Sequence, residues 1–446
     1  MHLTTFLALT VAKAAVFGIR IFMSGAGSTW PGHVALKIDR KFVERLIFSS
    51  KLNVILVVGT NGKTTSSSMI HYLLKKQGKR AFRNIEGANL LNGIASTLVK
   101  KSSFFGEINY EYAIFEVDEN NLPIVLQHVT PNEIVALNLF RDQLDRYGEV
   151  NTIADKWHVA LEKLKSKTTL ILNCDDPLIK YLGKESKHEV VYFDIPDNKY
   201  RKEGLSHDVD SIFCPVCGHE LNFKKLSFSH LGKYTCTHCD FRNAKAEKIS
   251  VSSYPLEGTY NIYNTRAAVL SVSKLLSIPS EKISLTLKNF QPAFGRGEVI
   301  EYKNREFVVL LAKNPASFNQ SIDRILSKNG AKHIIIALND RVPDGHDISW
   351  IWDVEFERFN TLSQNIYLTG DRVWDLAIRI QYSQDVSRES TKKSKKSNFK
   401  VQPYEKYQEA IDEAINNSRA GEKIYVLPTY SAMLEIRKIL SGSKMK

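Results

Sequence analysis

The run Val54 to Thr65 limits the possible folds of this chain more than any other stretch: five consecutive aliphatic residues lead directly into Gly59-Thr60-Asn61-Gly62-Lys63-Thr64-Thr65. Aliphatic residues without polar alternation read as a strand buried on both faces, which implies a parallel sheet covered by helices. Gly59 and Gly62 let the backbone after that strand turn its N–H groups toward an anion. A helix expected over Thr65 to Gln77 adds the positive end of its dipole. Lys63 then meets terminal phosphates of a nucleotide and Thr64 holds Mg²⁺, with Gly59, Thr60, Asn61, Gly62 and Thr65 completing the cradle. Val57 stands where the full G-x-x-x-x-G-K-[ST] pattern has its first glycine, so this is a shortened loop. The alternative is a Gly-rich strand-to-helix turn that holds no ligand.

The chain has 446 residues, more than one ordinary core, so two or three domains are expected. Strands are expected at Tyr112 to Val117, Glu133 to Asn138, Thr168 to Asn173 and Val190 to Phe193, with helical stretches between several of them. That alternation predicts an α/β fold with a doubly wound parallel sheet. A helix is expected over Tyr260 to Leu276. A second alternating unit begins near Glu301, with strands at Phe307 to Leu311, His333 to Leu338, Asn365 to Leu368 and Lys423 to Val426. The expected division is an N-terminal helical segment (1–47), a central ATP-binding domain (48–296) and a smaller C-terminal α/β domain (297–446).

Four of the five cysteines form two knuckles, Cys214-Pro215-Val216-Cys217 and Cys236-Thr237-His238-Cys239, eighteen residues apart. That spacing is expected of a structural Zn²⁺ site, and a ribbon this small has too little apolar core to fold without the metal. The ribbon reads as an insertion, 206–247, in the central domain. A nucleotide site implies a reducing compartment, which argues against disulfides. His219 and His238 compete as ligands only if the Cys₄ set is incomplete, and Cys174 reads as a small core residue.

Sixty-one Lys and Arg against 48 Asp and Glu give a net charge of +13, which suits polyanionic partners without choosing among them. Much of the excess lies in 388–400, read mainly as a solvated loop, with a membrane or lipid-pyrophosphate contact as the alternative. The apolar stretch Leu3 to Met23 is interrupted by Lys13 and Arg20 and lacks the flanks of a signal peptide. It is expected to dock on the protein or lie at the membrane interface rather than span. The expected location is cytoplasmic, at or near the inner face of the membrane.

Glu116 and Asp118 end an apolar strand, where ligands bind in such sheets. A carboxylate there can hold a second Mg²⁺ that bridges phosphate and acceptor, and Glu116 is favoured over Asp118. The alternative is a helix N-cap acid.

The shortened loop resembles that of the Mur ligase and folylpolyglutamate synthase superfamily, and four further motifs follow in that superfamily's order. Glu116 matches its metal-binding Glu. Asn138 to Tyr147 resembles N-L-x-x-D-H-L-D, with Gln143 in place of His; Asn138 and Asp142 are expected to line the site, and Arg141 and Arg146 are either substrate clamps or surface charges. Gly258 to Ala268 resembles G-x-[HFY]-N-x-x-N-x-x-A-A, which implies that Asn261 and Asn264 face adenine. Phe294 to Glu298 matches the G-R-x-E hinge, which implies a phosphate contact for Arg296. Leu311 to Ser317 resembles A-H-N-P-x-S, with Lys313 for His and Leu310 for a preceding Asp.

Asn84 to Asn89, the Cys₄ insertion and Asn339 to Asp353 narrow the resemblance to the MurT family, Mur ligase-like synthetase subunits of lipid II isoglutaminyl synthase. The resemblance implies ATP-dependent amidation of the D-glutamate α-carboxyl of the lipid II stem peptide. It also implies a heterodimer with a GatD-like glutaminase that contacts the C-terminal domain and supplies ammonia. Asp347 is then the catalytic acid lent to the glutaminase Cys–His pair, and Lys63 and Glu116 serve the ligase chemistry; the cofactors are ATP, Mg²⁺ and structural Zn²⁺. Trp350 and Trp352 are packing residues or interface anchors. One competing reading is an amino-acid-adding Mur or folylpolyglutamate-type ligase. Another is a zinc-ribbon nucleic-acid-binding regulator, disfavoured because the ribbon lacks dense basic and aromatic interleaving; no nucleic acid partner is expected.

Overall fold

The computed structural model describes residues 2–22, 29–84, 87–142, 150–196, 200, 209–291, 296–327, 333–361, 365–390 and 400–442. Strands β1 (Asn53–Val58), β2 (Ala81–Arg83), β3 (Tyr112–Glu116), β4 (Glu133–Ala136), β5 (Thr169–Asn173) and β6 (Glu189–Phe193) form one sheet in the order β2-β3-β1-β4-β5-β6. Every pairing in it is parallel. The unbroken apolar run of β1 follows from burial on both sides. Val54, Leu56 and Val58 enter one core, while Ile55 and Val57 enter the opposite one. Chain order reverses at β1, whose neighbours are β3 and β4. The crevice beyond its carboxyl end is therefore where such a sheet binds ligands.

Helices α1 (Leu3–Phe22), α2 (Trp30–Ile38), α3 (Phe42–Ser49), α4 (Lys63–Lys76) and α5 (Leu91–Lys101) flank the first half of this sheet. Helix α4 begins two residues before the sequence pattern suggests, since Lys63 and Thr64 are themselves helical. Gly32 lets α2 press onto α5: a Cβ there would sit 1.9 Å from the Asn92 carbonyl oxygen. Helix α1 buries Ala8, Leu9 and Ala12 and leaves Leu3, Leu7 and Phe17 largely exposed. Lys13 donates to the carbonyls of Val99 and Ser102 at 3.0 and 2.6 Å, which docks α1 against the end of α5. No helix among the described residues is long and apolar enough to cross a membrane.

The insertion is an antiparallel hairpin, β7 (Leu221–Phe228) and β8 (Leu231–Cys236), around a small cluster of Cys214, Leu221, Tyr234 and Phe241. After the helix Thr259–Leu276, six further strands make a second sheet: β9 (Arg296–Tyr302), β10 (Arg305–Leu310), β11 (His333–Ala337), β12 (Asn365–Thr369), β13 (Lys400–Pro403) and β14 (Lys423–Pro428). Their order is β13-β12-β11-β14-β10-β9, parallel except for β9 against β10. Strands β2, β9 and β13 were not apparent in the sequence. They are edge strands, short or rich in charge, and such strands lack the apolar run that betrays a central one.

Candidate active site

The phosphate-binding loop is held in shape by the residues that follow β4. Asn138 accepts a hydrogen bond from the Asn61 N–H at 2.8 Å and donates one to the Asn61 carbonyl at 3.0 Å. The Thr60 N–H donates to the Asn138 carbonyl at 3.0 Å, and the Phe140 N–H donates to the Thr60 hydroxyl at 3.0 Å. Gly59 (φ 134°) and Gly62 (φ 91°) take conformations that side chains rarely adopt. Space forbids a side chain as well, because a Cβ on Gly62 would lie 2.2 Å from Asn264 Oδ1. The loop is thus a rigid cradle, with its N–H groups fixed before any anion arrives.

Beside the cradle, Glu116 ends β3 and is buried. It accepts from the Thr64 hydroxyl at 2.8 Å, from the Ser67 hydroxyl at 2.7 Å and from Arg83 at 3.2 Å. A hydroxyl and a carboxylate this close are hard oxygen donors on one small volume, a set that fits Mg²⁺. Lys63 donates to the Gly59 carbonyl and forms an ion pair with Glu119 at 2.9 Å. Burial pushes the Glu119 carboxyl up, but Lys63 and Lys313 more than offset it and hold it below its ordinary value. Asp118 goes the other way, raised by burial and by the charge of Glu119. Burial also raises Asp142, in spite of its ion pair with Lys313.

Between the two sheets lies a cleft. Gly62, Thr65, Tyr260, Tyr263 and Asn264 line it on the central side, and Leu310, Leu311, Ser317, Gln320 and Ser321 on the C-terminal side. Asn261 stands behind this lining, accepting from Asn264 at 3.1 Å and donating to the Glu257 carbonyl at 2.6 Å. Asn61 and Asn314 pair across the cleft at 3.3 Å, and Arg324 meets Glu257 at 3.6 Å. The two units are therefore closed against each other by polar contacts.

The four ribbon cysteines bring their sulfur atoms within 4.8 Å of one another and form no disulfide. The N–H groups of His238 and Cys239 both donate to Cys236 Sγ at 3.4 Å, so the knuckle backbone already favours a thiolate. Four converging sulfurs with N–H support fit Zn²⁺. His219 and His238 are exposed and stack on each other outside the cluster at 4.0 Å.

Far along the second sheet, the segment after β11 carries four carboxylates, of which Asp340 pairs with Arg372 at 3.1 Å. Asp344 is buried and accepts from the N–H and hydroxyl of Ser431. Asp353 pairs with Arg141 at 3.1 Å. Asp347 is half-buried and accepts only from the Ser349 N–H, at 2.8 Å, so its second oxygen has no partner among the described residues. Trp350 packs on Phe318, while Trp352 is half exposed and meets Tyr382 edge-on at 5.5 Å.

Residues 57–272 match the family model of the Mur ligase middle domain, and residues 311–433 that of the MurT ligase C-terminal region. The chain is 30% identical over 465 aligned residues to the MurT subunit of lipid II isoglutaminyl synthase (glutamine-hydrolyzing) of Streptococcus pneumoniae. That alignment covers 100% of this chain and 99% of the relative. The corresponding Staphylococcus aureus subunit is 31% identical over 377 residues, covering 80% of this chain and 83% of the relative. This chain belongs to the MurT family. Among solved structures, MurF ligase from Thermotoga maritima in complex with ADP aligns with a TM-score of 0.62 at 15% identity, covering 92% of this chain and 84% of that one. A pseudomurein peptide ligase type C from Methanothermus fervidus aligns with a TM-score of 0.63 at 19% identity, covering 90% and 80%. Those likenesses establish the Mur ligase fold, and the match to the Mur ligase middle domain implies ATP and Mg²⁺.

Within this MurT-family chain, the structure brings Lys63, Thr64, Thr65, Glu116 and Asn264 to one crevice and leaves Asn261 one layer back. Arg296 opens β9, but its side chain lies outside the described residues, as do Gln143 and Arg146. Arg141 is tied to Asp210 and Asp353, so it joins the ribbon insertion to the second unit. Sequence reasoning missed Glu119 as the partner of Lys63, and it did not foresee Lys313 pairing with Asp142. Glu119 was visible only as one more acid after Asp118; nothing in the pattern says which side chain turns toward Lys63.

Proposed function

We propose that this chain uses ATP to activate the α-carboxylate of D-glutamate in the lipid II stem peptide and passes it to ammonia, forming D-isoglutamine. One observation carries the reading: the chain matches a MurT subunit from end to end, and its loop acid Asp347 keeps an oxygen without a partner among the described residues. A carboxylate does not react with ammonia at useful rates, because oxide would have to leave. Transfer of the γ-phosphoryl group to a carboxylate oxygen releases ADP and gives an acyl phosphate. Ammonia then adds to its carbonyl carbon, a proton is lost and phosphate departs.

Lys63, Thr64 and Arg296 orient the triphosphate, and Asn264 lies against the base. Mg²⁺ held by Thr64 and Glu116 would neutralise charge on the γ-phosphate. Leu310 replaces an acidic residue of the wider superfamily, so the ribose partners are drawn from Ser317, Gln320 and Ser321 on the facing helix. Cys214, Cys217, Cys236 and Cys239 hold Zn²⁺ in the ribbon.

Ammonia comes from a GatD-like glutaminase bound to the unit comprising 297–446. Asp347 accepts a hydrogen bond from that subunit's imidazole, fixing its tautomer and stabilising its charged form. Trp374, Ile378 and Tyr382 recur every four residues on one helix and are all more than half exposed, which supports a protein partner there. The exposed apolar face of α1, with the neighbouring exposed Phe104 and Phe105, supports a location at the inner face of the membrane, where a lipid-linked substrate lies. Flotation with anionic lipid vesicles tests that location; a chain left wholly in the dense fraction removes it.

The decisive experiment compares ADP release with lipid II when ammonia, glutamine plus the co-purified partner, or free amino acids are supplied. Ammonia and the glutamine system are expected to drive turnover. Turnover only with an amino acid would make the chain an amino-acid-adding ligase, and turnover without ATP would end the proposal.

A further inference from the structure

The ribbon hairpin buries its turn, which is unusual, because turns belong at the surface. Ser229, His230 and Leu231 are all 2% exposed or less. Ser229 holds a φ of 47°, a region uncommon for a side chain larger than glycine. Some function or strong packing must keep that conformation in place. The surroundings show what it packs against. His230 lies 3.4 Å from Asp176 and 4.9 Å from the Phe140 ring. Ser227 meets the Tyr263 hydroxyl at 2.7 Å, and the same hydroxyl donates to Asp175 at 2.8 Å.

The consequence falls on Phe228. Its ring stacks on Phe140 at 5.7 Å and meets Tyr263 edge-on at 5.9 Å. It remains partly exposed and lines the cleft beside Tyr260 and Asn264. Phe140 is the residue whose N–H holds Thr60 of the phosphate loop. The same hairpin carries Cys236 at the end of β8, opposite Leu221, and Phe228 at the other end, opposite Leu231. The cluster at the cysteine end has only four buried side chains, too few to hold two strands in register without a metal.

We propose that the zinc ribbon forms a wall of the nucleotide site: Phe228 stacks against the purine base, and the four-thiolate end of the hairpin keeps Phe228 in position. The ribbon is then a determinant of ATP affinity, not only a folded appendage. Its ligand is the purine nucleotide of the preceding proposal: Phe228 supplies a stacking face, and Asn264 in the same lining supplies an amide for the base edge. The inference rests on the nucleotide site of the preceding proposal.

The test titrates a fluorescent ATP analogue into the full chain with Mg²⁺ in excess. Phe228→Ala is expected to weaken binding roughly tenfold, the size of one lost base–aromatic stack. KM for ATP rises by a similar factor and kcat falls less. Phe228→Tyr restores binding, which a general folding defect would not allow. Wild-type chain stripped of zinc by a chelator, returned to Mg²⁺ and checked by metal analysis loses affinity by a similar factor. Stripping weakens Phe228→Ala much less, because the wall is already gone. Unchanged affinity in Phe228→Ala with its zinc retained overturns the inference alone, as does unchanged affinity in the stripped wild type. A wild-type chain that binds no nucleotide overturns both proposals.

Discussion

Two acidic loops end central strands in this molecule and are built in opposite ways. At the end of β3 and just beyond it, Glu116, Asp118 and Glu119 are all buried, and Lys63, Arg83 and Lys313 lie against the group. After β11, Asp344 and Asp353 are bound up within the chain, but one Asp347 oxygen has no partner among the described residues. Burying several acids is costly unless cations sit close by, and the first loop has its cations supplied by the same chain. The second leaves Asp347 half-buried, and in the proposed function it is half a site. In the proposed function, the Asp347 carboxylate serves chemistry finished by another subunit.

The largest test of this contrast is Asp347→Asn. Glutamine hydrolysis by the assembled complex is expected to fall by on the order of 10³–10⁴, as when a triad acid becomes an amide and the imidazole takes the wrong tautomer. Ammonia-driven amidation by the same variant should persist. Equal loss of both activities would mean that Asp347 belongs to the ligase site and the two loops do not divide the work.

Next in size is Lys63→Ala. Removing one preorganised phosphate contact costs about 3–4 kcal/mol in the barrier, roughly a hundredfold or more in ATP turnover. Glutamine hydrolysis should stay largely intact. Full ATP turnover in this variant would break the claim that the first loop is complete by itself.

Much of this contrast was legible before any coordinates. The apolar run of β1, the two loop glycines and the cysteine spacing each have one dominant physical reading, so the parallel sheet, the cradle and the ribbon followed from local sequence. The rest depended on tertiary geometry. Edge strands β2 and β13 carry no pattern strong enough to mark them. That Asn264 touches the cradle and Asn261 does not turns on which side of one helix faces Gly62. The choice of Asp347 over Asp344 and Asp353 came only through resemblance. The structure adds a physical reason, since Ser431 and Arg141 occupy the other two.

A third test asks what burial does to an acid that lacks a cation. Glu133 lies at the start of β4, fully buried, with the Ser271 hydroxyl as hydrogen-bond donor. Burial pushes its carboxyl from 4.5 up to about 8, with the charge of Glu189 adding to the rise. The folded chain therefore keeps this proton up to about pH 8, whereas the unfolded chain releases it near pH 4.5. Stability is lost as pH rises through that window and levels off above it. Glu133→Gln should remove the loss, raising stability at pH 8 by about 2–4 kcal/mol and leaving it little changed at pH 5, as read by denaturant unfolding. A variant equally affected at both pH values would show that Glu133 is ionised in the fold. Glu119, held down by Lys63, would then not differ from it in kind.

The smallest effect separates two tryptophans. Trp157 is fully buried, and its indole N–H donates to the Glu119 carbonyl at 2.7 Å, so it supports the closed loop from behind. Trp374 is 56% exposed, on the helix that also exposes Ile378 and Tyr382. Truncating a buried tryptophan costs about 3–5 kcal/mol of folding stability whatever else the protein binds. Truncating an exposed one should cost the isolated chain under about 0.5 kcal/mol. If the second loop is half a site, Trp374→Ala should instead weaken association with the glutaminase by about 1–2 kcal/mol, roughly ten- to thirtyfold, with the increase mainly in the dissociation rate. Unfolding of the isolated variant and its binding to the partner by surface-immobilised kinetics are both needed. Loss of stability with unchanged binding would make the stripe a packing feature and leave the second Asp347 oxygen to be explained in another way.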